Sequence, residues 1–250
     1  MSPTAERSHG ASAGISVAVV VFPGSNCEHD AAQALVGLGA RAELVWHTER
    51  SLEGYDAIVV PGGFAHGDYL RPGAIARFSP VMDAVCEAAE AGVPVLGICN
   101  GFQVLTEAHL LPGALVRNVG GRFLCTTVEC EVVSLASVLT AGASVGQRLR
   151  LPINHFEGNY TASAETLEAL EAGGLIPLRY IDNPNGSMDS IAAVTNVAGN
   201  VVGLMPHPER ACTSLMGSSD GRLLLQSFVT AAADRTGHAG AIAAAATTGS

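Results

Sequence analysis

Three residues of this chain have the side chains that acyl-transfer chemistry needs. Cys99 lies in "GICNG", a glycine–x–nucleophile–x–glycine pattern. An apolar stretch, Val93–Ile98, leads into it, and a helical pattern follows. A cysteine on such a strand–helix corner is pushed out of the sheet. It sits beside a helix N-terminus, where the dipole favours thiolate over thiol. A buried cysteine in an ordinary turn is the plain alternative, and the two flanking glycines favour the elbow.

A thiol nucleophile needs a proton-transfer partner, and that partner needs an orienter. "GLMPHPERA" offers both. Met205 and His207 each precede a proline and are biased toward extended backbone. In an extended segment residues i and i+2 point the same way, so His207 and Glu209 project together. The same spacing also suits a surface turn with both side chains in water. "VVPGGFAHGD" is the third element. Gly62 and Gly63 follow a strand, where bare backbone N–H groups can approach an oxyanion. Gly63 with the amide of Asn100 would complete an oxyanion hole. An ordinary βα turn is the alternative here, since Pro-Gly-Gly is common loop punctuation. It is not a Walker loop, because no Gly-Lys-Ser/Thr appears.

These corners need a scaffold, and the chain supplies alternating strands and helices. "ISVAVVVF" (Ile15–Phe22) reads as a strand buried on both faces. "PGSNCEHDAAQALVGLGA" opens a helix, with Ser25 and Glu28 at capping-box spacing and Gly39 at the exit. "AELVW" and "AIVV" read as the next two strands. Ser79 caps a further helix that has Pro80 in its first turn, and Gly92 ends it. "VPVLGI" is the strand before Cys99. From about Leu111 to Thr195 the pattern is richer in strands and loops. "NVVGLM" is a late strand and "DGRLLLQSFVTAA" a closing helix. The expected architecture is α/β, an open, mostly parallel sheet with helices on both faces.

Composition narrows the class. The chain has 250 residues, 48% of them hydrophobic, enough for one sizeable core. No linker divides it. One domain is expected over 15–233, with a disordered extension at 1–14 and a disordered alanine-rich tail at 234–250. A net charge of −10 argues against a nucleic-acid or anionic-lipid partner. No apolar run approaches the ~20 residues of a membrane span. The six cysteines come with no signal-peptide core, which points to reduced thiols and a cytoplasmic chain. None forms a CxxC pair. No carboxylate or cysteine spacing makes His66 or His155 a ligand, so no metal site is expected. No nucleotide site is visible either.

Taken together, "GICNG", the later His-x-Glu and the early Gly-Gly loop resemble the class I glutamine amidotransferases. The likeness extends to "FPGSNCEHD", "PGGFAHGDYLRPGAIARF", "LLPGAL", "EGNY", "NPNGS" and "MPHPERA", in order, over roughly Ser16 to Thr230. In this the chain looks like the glutaminase subunits of phosphoribosylformylglycinamidine synthase. The resemblance implies a flavodoxin-like fold and glutamine as substrate. It implies that Cys99 attacks the side-chain amide, that His207 moves the protons and that Glu209 orients His207. It implies that ammonia passes to an ATP- and Mg-dependent synthetase subunit, often bridged by a small additional subunit. That synthetase converts formylglycinamide ribonucleotide to formylglycinamidine ribonucleotide in purine biosynthesis. No cofactor is implied on this chain. Gln103, one turn after Cys99, together with Gly62 and His155, would be substrate contacts; an exposed helix position is the alternative for Gln103. The chain departs from the family at Asn154 and Phe156, in "INHFEGNY", and at Ala65–His66 in the glycine loop.

Two other readings stay open. An α/β-hydrolase shares the elbow but orders its residues nucleophile, acid, histidine, which would require Asp189 beside His207. A non-catalytic scaffold would keep the fold and bind the synthetase alone. Flavodoxin-like chaperones and peptidases are a poorer match, since they place His directly after Cys and this chain has Asn100.

Overall fold

The computed structural model describes residues 14–237. The expectations for residues 1–13 and 238–250 lie outside the described residues. In chain order the elements are β1 (Ser16–Val21), α1 (Glu28–Val36), β2 (Arg41–Trp46), β3 (Ala57–Val60), α2 (Pro80–Glu90), β4 (Val95–Ile98) and α3 (Asn100–Glu107). Then follow β5 (Ala114–Val116), β6 (Leu124–Val132), β7 (Arg148–His155), β8 (Asn159–Thr161), α4 (Ala164–Ala172) and β9 (Leu178–Tyr180). The last elements are β10 (Ile191–Thr195), β11 (Val201–Leu204) and α5 (Gly221–Thr236).

One nine-stranded sheet organises the molecule, in the order β2-β1-β3-β4-β11-β10-β9-β6-β7. The half from β2 to β11 is parallel. The other half is antiparallel, and it accounts for the strand-rich stretch after Leu111. β5 and β8 pair in a separate small sheet. Every residue of β3, β4 and β11 is buried, whichever face it points to. Helices therefore cover both sides of this central part, which is why its strands are runs of Val, Ile and Leu without alternation.

The parallel order places the site. In open α/β sheets, the crevice lies outside the carboxyl ends of the strands. Here β1 leads to Cys27, β3 to Gly62 and Gly63, β4 to Cys99, and β11 to His207. β4 and β11 are neighbours with Ile98 opposite Leu204, and the Cys99 N–H donates to the Leu204 carbonyl (2.8 Å). Segments distant in sequence thus leave the sheet side by side.

Three local expectations change. Ser25 and Glu28 form no capping box. Cys27 occupies the N-cap of α1 without a side-chain cap, and Ser25 Oγ instead accepts the Phe22 N–H (3.0 Å). The hydroxyl closes the turn that brings Cys27 back over the sheet. Ser79 does stand at the N-cap of α2 before Pro80, but its Oγ lies 3.3 Å from His47 Nδ1 and from His66 Nε2. Third, α5 runs to Thr236, past the expected limit at 233. Buried Val229, Ala232 and Ala233 hold its last turns, and Thr236 Oγ1 donates back to the Ala232 carbonyl (3.1 Å).

Candidate active site

Cys99 has φ 51° and ψ −105°, in the left-handed half of backbone space that a non-glycine residue rarely occupies. Strain of this kind costs about 1–3 kcal/mol and persists only where the surroundings enforce it. Here the enforcement is close packing of α3 on β3. A Cβ placed on Gly101 would stand 1.8 Å from the Val60 carbonyl oxygen. The second glycine of the elbow is thus a spacing requirement. Gly101→Ala is expected to destabilise the fold at the upper end of the ~1–3 kcal/mol typical of overpacking. Gly120→Ala, at a position with nothing within 4 Å, is its neutral counterpart. Thermal unfolding of the two variants checks this, and equal midpoints would contradict it.

At the first turn of α3 the backbone N–H of Asn100 has no intrahelical acceptor. Across the crevice Gly63 takes φ +148°, and a Cβ there would meet Ser25 Cα at 2.7 Å. Gly63 bridges Ser25, but the bridging bonds run from Phe64 N–H to the Gly24 carbonyl (2.9 Å) and from Asn26 N–H to the Gly62 carbonyl (3.4 Å). The N–H of Gly63 is not spent on them. Neither the Gly63 N–H nor the Asn100 N–H donates a hydrogen bond to backbone or side chain among the described residues.

His207 is 1% exposed and Glu209 2%. Neither is the solvated side chain of a surface turn. His207 Nδ1 donates to Glu209 Oε1 at 2.6 Å, and the backbone N–H of His207 is anchored on the Pro152 carbonyl (2.8 Å). Burial works against the imidazolium. The negative charge of Glu209, and then of Cys99 beside the ring, outweighs burial and holds His207 well above the ordinary histidine range. This arrangement favours the imidazolium form of His207. Cys99 itself is buried, its Sγ 3.7 Å from the Asn154 carbonyl. Asp189 lies elsewhere: it is exposed, and its carbonyl is held by Arg179. The carboxylate bonded to His207 is the one two residues later.

The remaining expected residues have more specific placements. Gln103 is buried, and its amide makes two hydrogen bonds. Oε1 accepts from Asn100 Nδ2 (2.8 Å), and Nε2 donates to the Glu157 carbonyl (2.6 Å). It is not an exposed helix residue, and it ties the elbow helix to the loop after β7. Asn100 extends the tie, accepting from Ala65 N–H (3.0 Å) and donating to Asp68 Oδ1 (3.0 Å). Burial, with Glu157 adding to it and the Asn100 bond opposing, raises Asp68 to about 6. Gly62 packs against the site: a Cβ there would lie 2.9 Å from His207 Cε1.

His155 is buried with neither ring nitrogen hydrogen-bonded within the described residues. Burial, and then the charge of His207, push it down to about 4, so it is a neutral ring at neutral pH. Among the two family departures beside it, Asn154 contributes its carbonyl to Cys99, and Phe156 lies under the guanidinium of Arg117 (5.7 Å).

Several residues of the site were not singled out from sequence. Asn118 holds the loop after β7 from both sides. Its Nδ2 donates to the His155 carbonyl (3.0 Å), and its Oδ1 accepts the Gly158 N–H (3.0 Å). Asn185 Nδ2 donates to the Gly158 carbonyl (2.8 Å) from another side. Cys27 lies against His207, with its thiol 3.1 Å from Arg210 Nη2. "NPNGS" and "FPGSNCEHD" contained Asn185 and Cys27, but only their place in the fold shows what they touch.

Comparison with known proteins agrees with this geometry. Residues 15–222 match the CobB/CobQ-like glutamine amidotransferase domain. The chain is 57% identical over 208 residues to the phosphoribosylformylglycinamidine synthase subunit PurQ of Synechococcus elongatus, covering 83% of this chain and 94% of that one. It is 54% identical over 222 residues to the PurQ subunit of Thermomicrobium roseum, covering 85% and 94%. Among solved structures, a chain of PurLQS from Thermotoga maritima superposes with a TM-score of 0.81 at 41% identity, covering 87% of this chain and 99% of that one. With identity this high over nearly the whole of its relatives, the chain belongs to the PurQ family of phosphoribosylformylglycinamidine synthase subunits, within the CobB/CobQ-like glutamine amidotransferases.

Proposed function

We infer that this chain is the glutaminase subunit of phosphoribosylformylglycinamidine synthase. It releases ammonia from glutamine for a synthetase subunit that makes formylglycinamidine ribonucleotide from formylglycinamide ribonucleotide in purine biosynthesis. The observation that carries the reading is the buried His207–Glu209 pair beside a strained elbow cysteine. A fold kept only for docking has no need to bury an ion pair of this kind, because burial of charge is costly unless it is used or fully paired.

The chemistry follows from the geometry. The Cys99 thiolate attacks the side-chain carbonyl carbon of glutamine. The oxygen becomes an oxyanion between the N–H groups of Gly63 and Asn100. The imidazolium of His207 gives its proton to the departing nitrogen, so ammonia leaves and a γ-glutamyl thioester remains. Neutral His207 then takes a proton from water, which attacks the thioester. The second oxyanion collapses, the thiolate leaves, and glutamate is released. Glu209 holds one tautomer and stabilises the imidazolium in both halves. Neutral His155 borders this site, and we assign it to the glutamine pocket.

The partners are glutamine, the synthetase subunit and the small subunit. ATP and Mg belong to the synthetase in this reading. We place the chain in the cytoplasm, with the purine pathway it serves. No helix of the described residues is long and apolar enough to cross a membrane. We treat residues 15–236 as one amidotransferase domain.

Uncoupled hydrolysis would waste glutamine, and the loop Pro61–Gly73 is built to change shape. His66, Asp68 and Leu70 all carry positive φ (53°, 51° and 72°), a concentration of strain in one short segment. The loop carries the Gly63 donor and is tied to the elbow through Asn100. A misaligned oxyanion donor forfeits roughly 10²–10³ in rate. The isolated chain is therefore expected to release glutamate about 10²-fold more slowly than the assembled complex with nucleotide and acceptor. Steady-state glutamate release with and without the synthetase decides this. Equal rates would remove partner gating, and absence of both release and a trapped thioester in the complex would remove the glutaminase assignment.

A further inference from the structure

We propose that His66 is a positioning residue for the Gly63 oxyanion donor, latched through Ser79 to His47, and that a second proton on the two histidines releases the latch. The catalytic consequence rests on the glutaminase reading; the latch itself does not.

From Gly62 to His66 the loop backbone runs against the turn after β1. Phe64 N–H donates to the Gly24 carbonyl (2.9 Å), and His66 N–H to the Pro23 carbonyl (2.6 Å). His66 takes φ 53°, and Asp68 and Leu70 follow at 51° and 72°. Backbone of this kind persists only where its surroundings enforce it. At His66 the side chain supplies the enforcement. Its Nε2 lies 3.3 Å from Ser79 Oγ, and the same hydroxyl lies 3.3 Å from His47 Nδ1. Ser79 is buried at the N-cap of α2, yet its hydroxyl caps no helix N–H. The His47 carbonyl accepts the Val81 N–H (3.1 Å). The end of β2, the start of α2 and the loop thus meet at one hydroxyl.

A hydroxyl has one proton to give. With both rings neutral, Ser79 donates to one ring nitrogen and accepts the N–H of the other. One added proton leaves that pattern intact. A second does not, because both nitrogens then aim N–H at a single oxygen whose own proton has lost its acceptor. The rings stand edge to face with centroids 5.2 Å apart, so two positive charges repel across the bridge. Phe22 lies against both rings, at 6.3 and 6.1 Å, and among the described residues neither histidine is paired with a carboxylate.

The sign of the pH effect follows. Burial, and then the charge of His47, hold His66 below the ordinary histidine value of 6.5. The closed loop therefore loses stability as the pH falls below 6.5. Asp68, on the same loop, works in the opposite sense. Burial raises it to about 6, so its proton favours the closed loop.

Amide hydrogen exchange of residues 61–73 in the full chain reads the latch, with rates corrected for the pH dependence of the chemical step. Protection is expected to fall about tenfold between about pH 7.5 and 5.5. His66→Gln keeps a donor for Ser79 and cannot titrate, so its protection should stay high and flat. His66→Phe keeps neither property, and its protection should be low throughout. Asp68→Asn should leave the acid fall in place. In the reconstituted complex, His66→Phe should lower kcat for glutamate release about tenfold with KM little changed, short of the roughly 10²–10³ expected for losing the donor outright. His66→Gln should restore kcat and flatten the acid limb, which a side chain that only fills space would not do. Protection in the unmutated chain that ignores pH, or that falls equally in His66→Gln, overturns the latch. Expected exchange behaviour beside an unchanged kcat in His66→Phe overturns the positioning role. No glutamate release by the unmutated complex would remove the glutaminase reading, and the positioning role with it, and leave the latch standing.

Discussion

Cys99→Ala is expected to abolish glutamine-dependent synthesis by the reconstituted complex while leaving ammonia-dependent synthesis near its original rate. Without the sulfur no thioester forms, and nothing nearby takes its place. Cys27 also touches His207, but it starts from the end of β1 and not from the elbow. The substitution should leave the fold in place. Alanine carries the same Cβ into the strained φ 51° backbone, and the sulfur it removes reaches the Asn154 carbonyl only at a long 3.7 Å. Cys99 is buried, so its substitution changes little of the chain's outer surface. The measurement is product formation with glutamine and, separately, with ammonium as nitrogen source. Undiminished use of glutamine would remove Cys99 from the mechanism. Loss of both activities would mean that the elbow also holds the complex together.

How much of this was legible in the sequence depends on how far apart the cooperating residues are. The elbow was legible because its cause is local: glycines flank the nucleophile at a strand–helix corner. His207 and Glu209 were legible as a pair, but not for the expected reason: the segment is not extended, and a 3-10 turn at Pro208–Arg210 brings the two side chains together. The parallel half of the sheet followed from continuous apolar strands. Cys27 and Arg210 were not legible as site residues, since 183 positions separate the two members of that contact. Nor were Asn118 and Asn185. Their amides hold the loop after β7 over separations of 37 and 27 residues, and an asparagine in a loop usually reads as turn chemistry. The capping-box expectation at Ser25 failed for a related reason. The spacing was right, but the turn leaving β1 used the hydroxyl first.

His207→Ala is expected to cost more than Glu209→Gln, and the second variant should leave a signature in the pH profile. In the proposed mechanism His207 carries the proton in both half-reactions, and general acid–base groups contribute roughly 10²–10⁴-fold. Glu209 acts only through His207. A glutamine at 209 still offers an oxygen to Nδ1–H, so part of the orientation survives. The charge does not. Burial pulls the His207 pKa down, and Glu209 is the first of the groups that raise it above the ordinary range. Removing that carboxylate lets burial weigh more, so the pKa falls. The alkaline limb of kcat/KM marks loss of the imidazolium that protonates the leaving nitrogen. It should therefore move to lower pH in Glu209→Gln. A variant that merely loosened the fold would lower the rate without moving the limb. A limb unmoved by Glu209→Gln, or a near-normal rate for His207→Ala, would break the assignment of this pair. The expected result has a simple physical origin. The largest support for an imidazolium at 1% exposure is a carboxylate, itself 2% exposed, 2.6 Å away. Neutralising that carboxylate leaves the positive charge with too little in the interior to stabilise it.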